Sequence, residues 1–199
     1  MNRLAPRARA AALVGLLLVG CTRPGPPPAG WSGEVVGVAD GDTLTVLRDR
    51  TPVKIRLAEI DCPERGQPFG QRAKQHAADL AFGKRVRVVE QSRDRYGRTV
   101  AEVFLEDGRS LNRELVQVGL AWQYRRYSTS PSLAVLEGGA REARRGLWGD
   151  PQPVPPWEWR AAARSPDRHP RLWPGSAAEE ERDRVGREVQ QQVGVDLED

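Results

Sequence analysis

The sequence predicts an α+β protein, a five-stranded OB-type β-barrel with three helices. Two observations carry that expectation. Residues 31–149 alternate between short runs of period-two apolar residues and segments of helical spacing, in the order three strands, a helix, two strands, two helices. A helix placed between the third and fourth strands suits a closed five-stranded barrel. Size agrees, because 199 residues with 39% hydrophobic and 29% charged side chains make one ordinary domain plus extensions.

Each element has a local cause. Val36 and Val38 alternate ahead of Asp40-Gly41-Asp42, Thr43 to Leu47 follows, and Arg48-Asp49-Arg50 turns the chain into Val53, Ile55 and Leu57, with Lys54 and Arg56 on the opposite face. From Gly70 to Phe82 the positions Ala73, Ala77, Leu80 and Ala81 have helical spacing, and Gly83 stops the run. Val86 and Val88, then Val100 to Leu105, give two further strands about the turn Asp94-Arg95-Tyr96-Gly97-Arg98. A second helix runs from about Ser110 to Val118, with Leu111, Leu115 and Val118 on one face and Gly119 as its stop. The third opens on Ser130-Pro131, a cap followed by a first-turn proline, and carries Leu133, Leu136, Ala140 and Ala143. Its Gly138-Gly139 pair costs about 2 kcal/mol relative to alanines, so this helix must depend on packing.

The ends read differently. Arg3, Arg7 and Arg9 precede an apolar run from Ala10 to Val19 that is too short to span a bilayer and reads as a signal-peptide core. It closes on Leu18-Val19-Gly20-Cys21, which resembles the lipobox of bacterial lipoproteins. That resemblance implies a signal peptide at 1–21, with cleavage before Cys21 and a lipid on its sulfur. The protein is then expected to be exported and lipid-anchored to the cell envelope, at the outer membrane facing the periplasm or exterior, because Thr22 rather than Asp follows the cysteine. Residues 22–30 are a Pro/Gly-rich tether. Beyond the domain, 150–164 form a Pro/Trp-rich extension and 165–199 an acidic tail expected to be disordered.

Charge and ligand chemistry exclude several functions. Thirty-one Lys+Arg against 27 Asp+Glu leave +4 overall, too mild for a polybasic binder. The excess lies in the domain: residues 31–149 carry 20 basic and 16 acidic side chains, residues 150–199 carry 7 and 11. Two cysteines and two distant histidines, His76 and His169, cannot build a zinc finger, so any metal should be held by oxygen. Asp40-Gly41-Asp42-Thr43 starts like a calcium loop, but Leu44 stands where an EF-hand needs Asp or Asn. Taken singly, that segment is a hairpin turn, Asp61-Cys62-Pro63-Glu64 a loop, and Arg56 and Arg98 surface arginines. Together they supply hard-metal ligands, a base and phosphate clamps, the components of metal-assisted phosphodiester hydrolysis.

Asp40-Gly41-Asp42-Thr43, Ile55-Arg56-Leu57, Ile60-Asp61-Cys62-Pro63-Glu64, Asp94-Arg95-Tyr96-Gly97-Arg98, Leu111-Asn112 and Gly119-Leu120-Ala121, in this order, resemble the staphylococcal nuclease family. Gly146-Leu147-Trp148 is similar to the family's closing element. The resemblance implies a monomeric Ca2+-dependent nuclease that cleaves DNA, RNA or both with little sequence specificity and leaves 3′-phosphate ends. It assigns Asp42, Asp61 and the backbone carbonyl of Cys62 to Ca2+, Glu64 as general base, and Arg56 and Arg98 as phosphate clamps, with Asp40 supporting the turn. Arg95, Tyr96 and Tyr127 would contact the nucleotide, although Arg125 replaces one of the family's two later tyrosines and Tyr124 falls one position short of it. Cys62 replaces the founding member's threonine, so a side-chain hydrogen bond to Glu64 is expected to be lost. The alternative is a catalytically inactive nucleic-acid-binding OB module, which typically lacks some of these carboxylates.

Overall fold

A computed structural model describes residues 29–164. The signal peptide and Cys21, most of the tether, and the acidic tail at 165–199 lie outside the described residues.

Five strands close a barrel in the spatial order β1 (Trp31–Asp40), β2 (Thr43–Arg48), β3 (Thr51–Leu57), β6 (Thr99–Phe104) and β5 (Arg85–Arg93), with β5 returning to β1. The first three strands form an antiparallel meander. Closure requires β3 to lie parallel to β6, pairing Ile55 with Thr99 and Leu57 with Ala101. As expected for an interior filled by side chains, Leu44, Val46, Ile55, Leu57, Val86, Val88, Ala101 and Val103 point inward.

The helices start and stop where their caps stand. Helix α1 (Gly70–Ala81) buries Ala73, Ala77 and Ala81, and small residues let it approach the barrel. In α2 (Leu111–Gln117) the Ser110 hydroxyl accepts from the Arg113 amide, and in α3 (Pro131–Glu142) the Ser130 hydroxyl accepts from the Leu133 amide. A 3-10 turn at Gly146–Gly149 closes the domain with Leu147 and Trp148 buried.

Four features depart from the sequence reading. Val35, not Val36, faces the core of β1: Val35 is fully buried and Val36 exposed, because a register shift between Val35 and Gly37 breaks the simple alternation. A second, two-stranded sheet joins β4 (Ile60–Asp61) to β7 (Trp122–Gln123), elements too short for periodicity to show. The core of α3 includes Glu137, which is 1% exposed. Its carboxylate accepts from the Gln123 amide and pairs with Arg125 and Arg141. Finally, the Pro/Trp-rich extension contains a fourth helix, α4 (Pro156–Ala163), started by Pro156 in its first turn.

Asn112 on α2 fastens the parallel seam. Its amide nitrogen donates to the Ala58 and Ala101 carbonyls, and its oxygen accepts from the Val103 amide. Asn112→Ala removes this partner from the Ala58 carbonyl and the Val103 amide, while the Ala101 carbonyl keeps the Ala58 amide, and is expected to cost about 2–3 kcal/mol of stability. Urea denaturation checks this, and a loss below about 0.5 kcal/mol would show that the seam holds without the amide.

Candidate active site

The site is built where the β1–β2 turn meets the end of β3 and the strand β4. Asp40 accepts from the Asp42 amide at 3.1 Å and so shapes the turn. The Asp42 carbonyl accepts from the Leu57 amide at 2.9 Å, which ties the turn to the end of β3. Gly41 is required by a close approach: a Cβ there would lie 2.7 Å from the Ala73 side chain and 2.9 Å from Cys62 Sγ. Gly70, at the start of α1, serves the same purpose beside Glu64, since a Cβ would fall 2.1 Å from the Glu64 carbonyl oxygen.

Two carboxylates and one arginine form the buried centre. Arg56 Nη1 lies 3.1 Å from Asp42 Oδ2, and Arg56 Nη2 lies 2.7 Å from Asp61 Oδ1. The same guanidinium donates to the carbonyls of Leu57 and Ile60. Although Arg56 leaves β3 on the face away from Ile55 and Leu57, only 14% of its side chain is exposed. Asp42 also accepts from the Cys62 amide at 2.8 Å and from the Thr43 hydroxyl at 3.3 Å.

Burial sets the electrostatics. It pushes the Asp42 carboxyl up to about 7, with Asp40 and Asp61 adding to the rise and Arg56 and the Cys62 amide opposing it. The Arg56 guanidinium is held above its ordinary value, because Asp42 and Asp61 outweigh the effect of burial. The Cys62 thiol is raised well above its ordinary value by burial, and Asp42 adds to this. Cys62 is thus a packed, un-ionised side chain against Gly41 rather than a nucleophile.

Glu64 stands at the rim of this cluster. Its amide donates to Gln67 Oε1 at 3.0 Å, while Gln67 Nε2 donates to the Val154 carbonyl at 2.7 Å. One glutamine side chain therefore links the Glu64 loop to the C-terminal extension. The Glu64 carboxylate meets Arg160 of α4, whose other nitrogen lies 2.7 Å from Asp61 Oδ2.

The "Staphylococcal nuclease homologue" family profile matches residues 54–150. The chain is 43% identical over 169 residues to the micrococcal nuclease of Shigella flexneri, an alignment covering 80% of this chain and 94% of that protein. The chain belongs to the staphylococcal nuclease family. It is also 47% identical over 128 residues to an uncharacterized endonuclease of Escherichia coli O157:H7, covering 64% of this chain and 84% of that one. With the staphylococcal-like nuclease CAN1 of Arabidopsis thaliana it shares 38% identity over 107 residues, 54% of this chain and 33% of the plant protein.

Membership in the staphylococcal nuclease family implies Ca2+. Among the described residues no three His, Cys, Asp or Glu side chains group as a metal cluster. The donors nevertheless fit a hard cation: Asp42 and Asp61 are buried, share Arg56 as cationic partner, and flank the backbone of Cys62. Such a two-carboxylate oxygen site leaves positions for a carbonyl, water and phosphate oxygen.

The remaining sequence-predicted residues lie in two groups. Arg98 stands just before β6, next to the strand carrying Arg56, and donates to Asp94 within its own turn at 2.7 Å. Those bonds hold the Asp94 carboxyl below its ordinary value despite slight burial. Tyr96 is exposed, with the Arg95 and Arg98 guanidinium groups 5.0 and 5.6 Å from its ring centre. Tyr127 is also exposed and packs edge-on against Tyr124, which is stacked on Trp157 of α4. Arg125 is committed to Glu137. Arg160 is not among the residues that the sequence assigns to the site, since it lies within the Pro/Trp-rich extension at 150–164. Its one signal was the helix start at Pro156 with Glu158 in the first turn.

Proposed function

We propose that the protein is a Ca2+-dependent nuclease that hydrolyses phosphodiester bonds of DNA, RNA or both with little sequence preference, leaving 3′-phosphate ends. The observation that carries this reading is the buried Asp42–Arg56–Asp61 cluster with Glu64 at its rim, in a chain whose relatives are named as nucleases. Ca2+ held by Asp42, Asp61 and the Cys62 carbonyl would supply positive charge to the scissile phosphate. Glu64 would orient a water and take its proton. Arg56, and Arg98 just before the neighbouring strand β6, would bind the phosphate oxygens through their planar forks and stabilise the charge that grows as the 5′-oxygen leaves. Tyr96, Arg95 and Tyr127 supply exposed rings and charge suited to nucleotide contact without base-edge reading.

The test is cleavage of single-stranded DNA, duplex DNA and RNA by the purified protein in Ca2+, Mg2+ or chelator, with end-group analysis. Chelator should silence the enzyme, excess Ca2+ should restore it, and Mg2+ should serve poorly because it demands a tight octahedron. Asp42→Asn should raise the Ca2+ needed for half-maximal activity and lower the maximum, leaving the barrel folded. Full activity in chelator, or restoration by Zn2+ alone, would sink the metal assignment. Substrate binding without cleavage under every condition would favour the inactive binding module.

We further propose that the mature protein begins at a lipidated Cys21 and is anchored to the outer membrane, on the support of the arginine-led apolar segment ending in Leu-Val-Gly-Cys. Cys21→Ser should abolish lipid attachment and membrane recovery. An unlipidated Cys21 in membrane-recovered protein, seen by mass spectrometry, would show an ordinary signal or another anchor.

A further inference from the structure

Arg160 lies on α4, beyond the residues matched by the family profile, yet its guanidinium is inserted into the centre of the site. Nη2 donates to Asp61 Oδ2 at 2.7 Å, and Nη1 is shared between Asp61 Oδ1, at 3.3 Å, and Glu64 Oε1. Since Arg56 also donates to Asp61 Oδ1, both oxygens of Asp61 are covered by arginine.

The placement is built rather than incidental. Pro155 and Pro156 fix the start of α4. Trp157 stacks on Tyr124 with ring centres 5.4 Å apart and planes nearly parallel, and meets Trp122 edge-on at 5.7 Å. Trp159 joins Pro63, Phe69 and Leu147 in lining the neighbouring cleft. The Gln67–Val154 bond fastens the approach to α4 onto the Glu64 loop. Trp157 and Arg160 are three residues apart, hence on one side of the helix, so docking the tryptophan delivers the arginine.

We propose that Arg160 is a displaceable positioning residue of the active site, competing with the divalent cation for Asp61 and with the attacking water for Glu64. This rests on the Ca2+-dependent reading above. Arg56 already holds Asp61 Oδ1, so Asp61 Oδ2, held by the Arg160 fork, is the oxygen that a divalent cation would take, and two cations at one buried oxygen repel. Cation binding must therefore break the Arg160 fork, and the apparent affinity is lowered by the fraction of molecules in which the fork is closed. Release also frees the Glu64 carboxylate, which while paired to Arg160 has one oxygen occupied by a donor. Cation loading and freeing of the base are then one event.

The experiment is isothermal titration of the purified protein and of its Arg160→Gln and Arg160→Lys variants with Ca2+ alone, in the absence of nucleic acid, with thermal unfolding as a check on folding. Arg160→Gln should bind Ca2+ about tenfold more tightly, corresponding to a fork closed in about nine molecules of ten. Arg160→Lys should gain several-fold, because lysine keeps the charge but lacks the fork that spans two carboxylates. Trp157→Ala, which loosens α4 without touching the site, should shift affinity in the same direction. Equal affinity in Arg160→Gln and the parent overturns the competition. A gain in Arg160→Gln with Arg160→Lys matching the parent also overturns it, since only long-range charge would then be at work. Absence of Ca2+ binding in all proteins together with cleavage in chelator overturns the cation reading and the competition with it, whereas Ca2+-dependent cleavage with unchanged affinities overturns the competition alone.

Discussion

Replacing Arg56 by alanine should lower turnover by about 10² or more at saturating Ca2+. The reason is double. Arg56 is a phosphate clamp in the proposed mechanism, and it is also the cation between two buried carboxylates, at 3.1 Å from Asp42 and 2.7 Å from Asp61. Its removal leaves those charges without their shared partner, so the variant should also lose stability in chelator and recover much of it in Ca2+. Arg56→Lys separates the two roles. A lysine restores charge but not the fork, so it should remain folded in chelator while turnover stays low. Single-turnover kinetics on protein shown to be folded check this. Near-normal turnover in folded Arg56→Ala would confine the residue to structure.

Glu64→Gln should lower turnover by about 10² or more with little change in stability. The side chain is 37% exposed and the substitution keeps its shape, so the loss would come from removing the proton acceptor. The amide can no longer take a proton from water, although it still offers an oxygen to Arg160. Since Cys62 is packed against Gly41, and the Glu64 amide is held by Gln67, the Glu64 loop in this protein is positioned by Gln67 and Arg160. Unchanged turnover in the glutamine variant would remove the base assignment and leave positioning by charge as the role of Glu64.

The barrel was legible because its strands are short, regularly spaced and bounded by turn residues, and because Ser110 and Ser130 mark their helices from sequence alone. The convergence of Asp42, Arg56, Asp61 and Glu64 was legible as a pattern of residue types on loops flanking those strands. What sequence periodicity could not carry was set by tertiary contact. The shift near Gly37 turns Val36 outward, and Glu137 occupies a helix position that patterning assigns to an apolar residue, because Gln123 and Arg125 from outside the helix and Arg141 one turn along it satisfy its carboxylate. Arg160 escaped for a related reason. Proline-rich composition marks an extension, and it is the aromatic docking of Trp157 that aims the helix begun at Pro156 toward the site.

The parallel seam between β3 and β6 has a consequence for how activity is acquired. The β1–β3 meander, built from neighbouring segments, can bring Asp42 and Arg56 together early, but Arg98, just before β6, comes next to β3 only when strands distant in sequence meet and Asn112 locks them. Pairing of that kind is slow, since the entropy of closing a long loop is lost before the contacts form. Nuclease activity should therefore appear in refolding with the last phase of barrel closure, after most of the strand signal has returned. A partly folded chain would carry its carboxylates and one arginine yet leave nucleic acid intact.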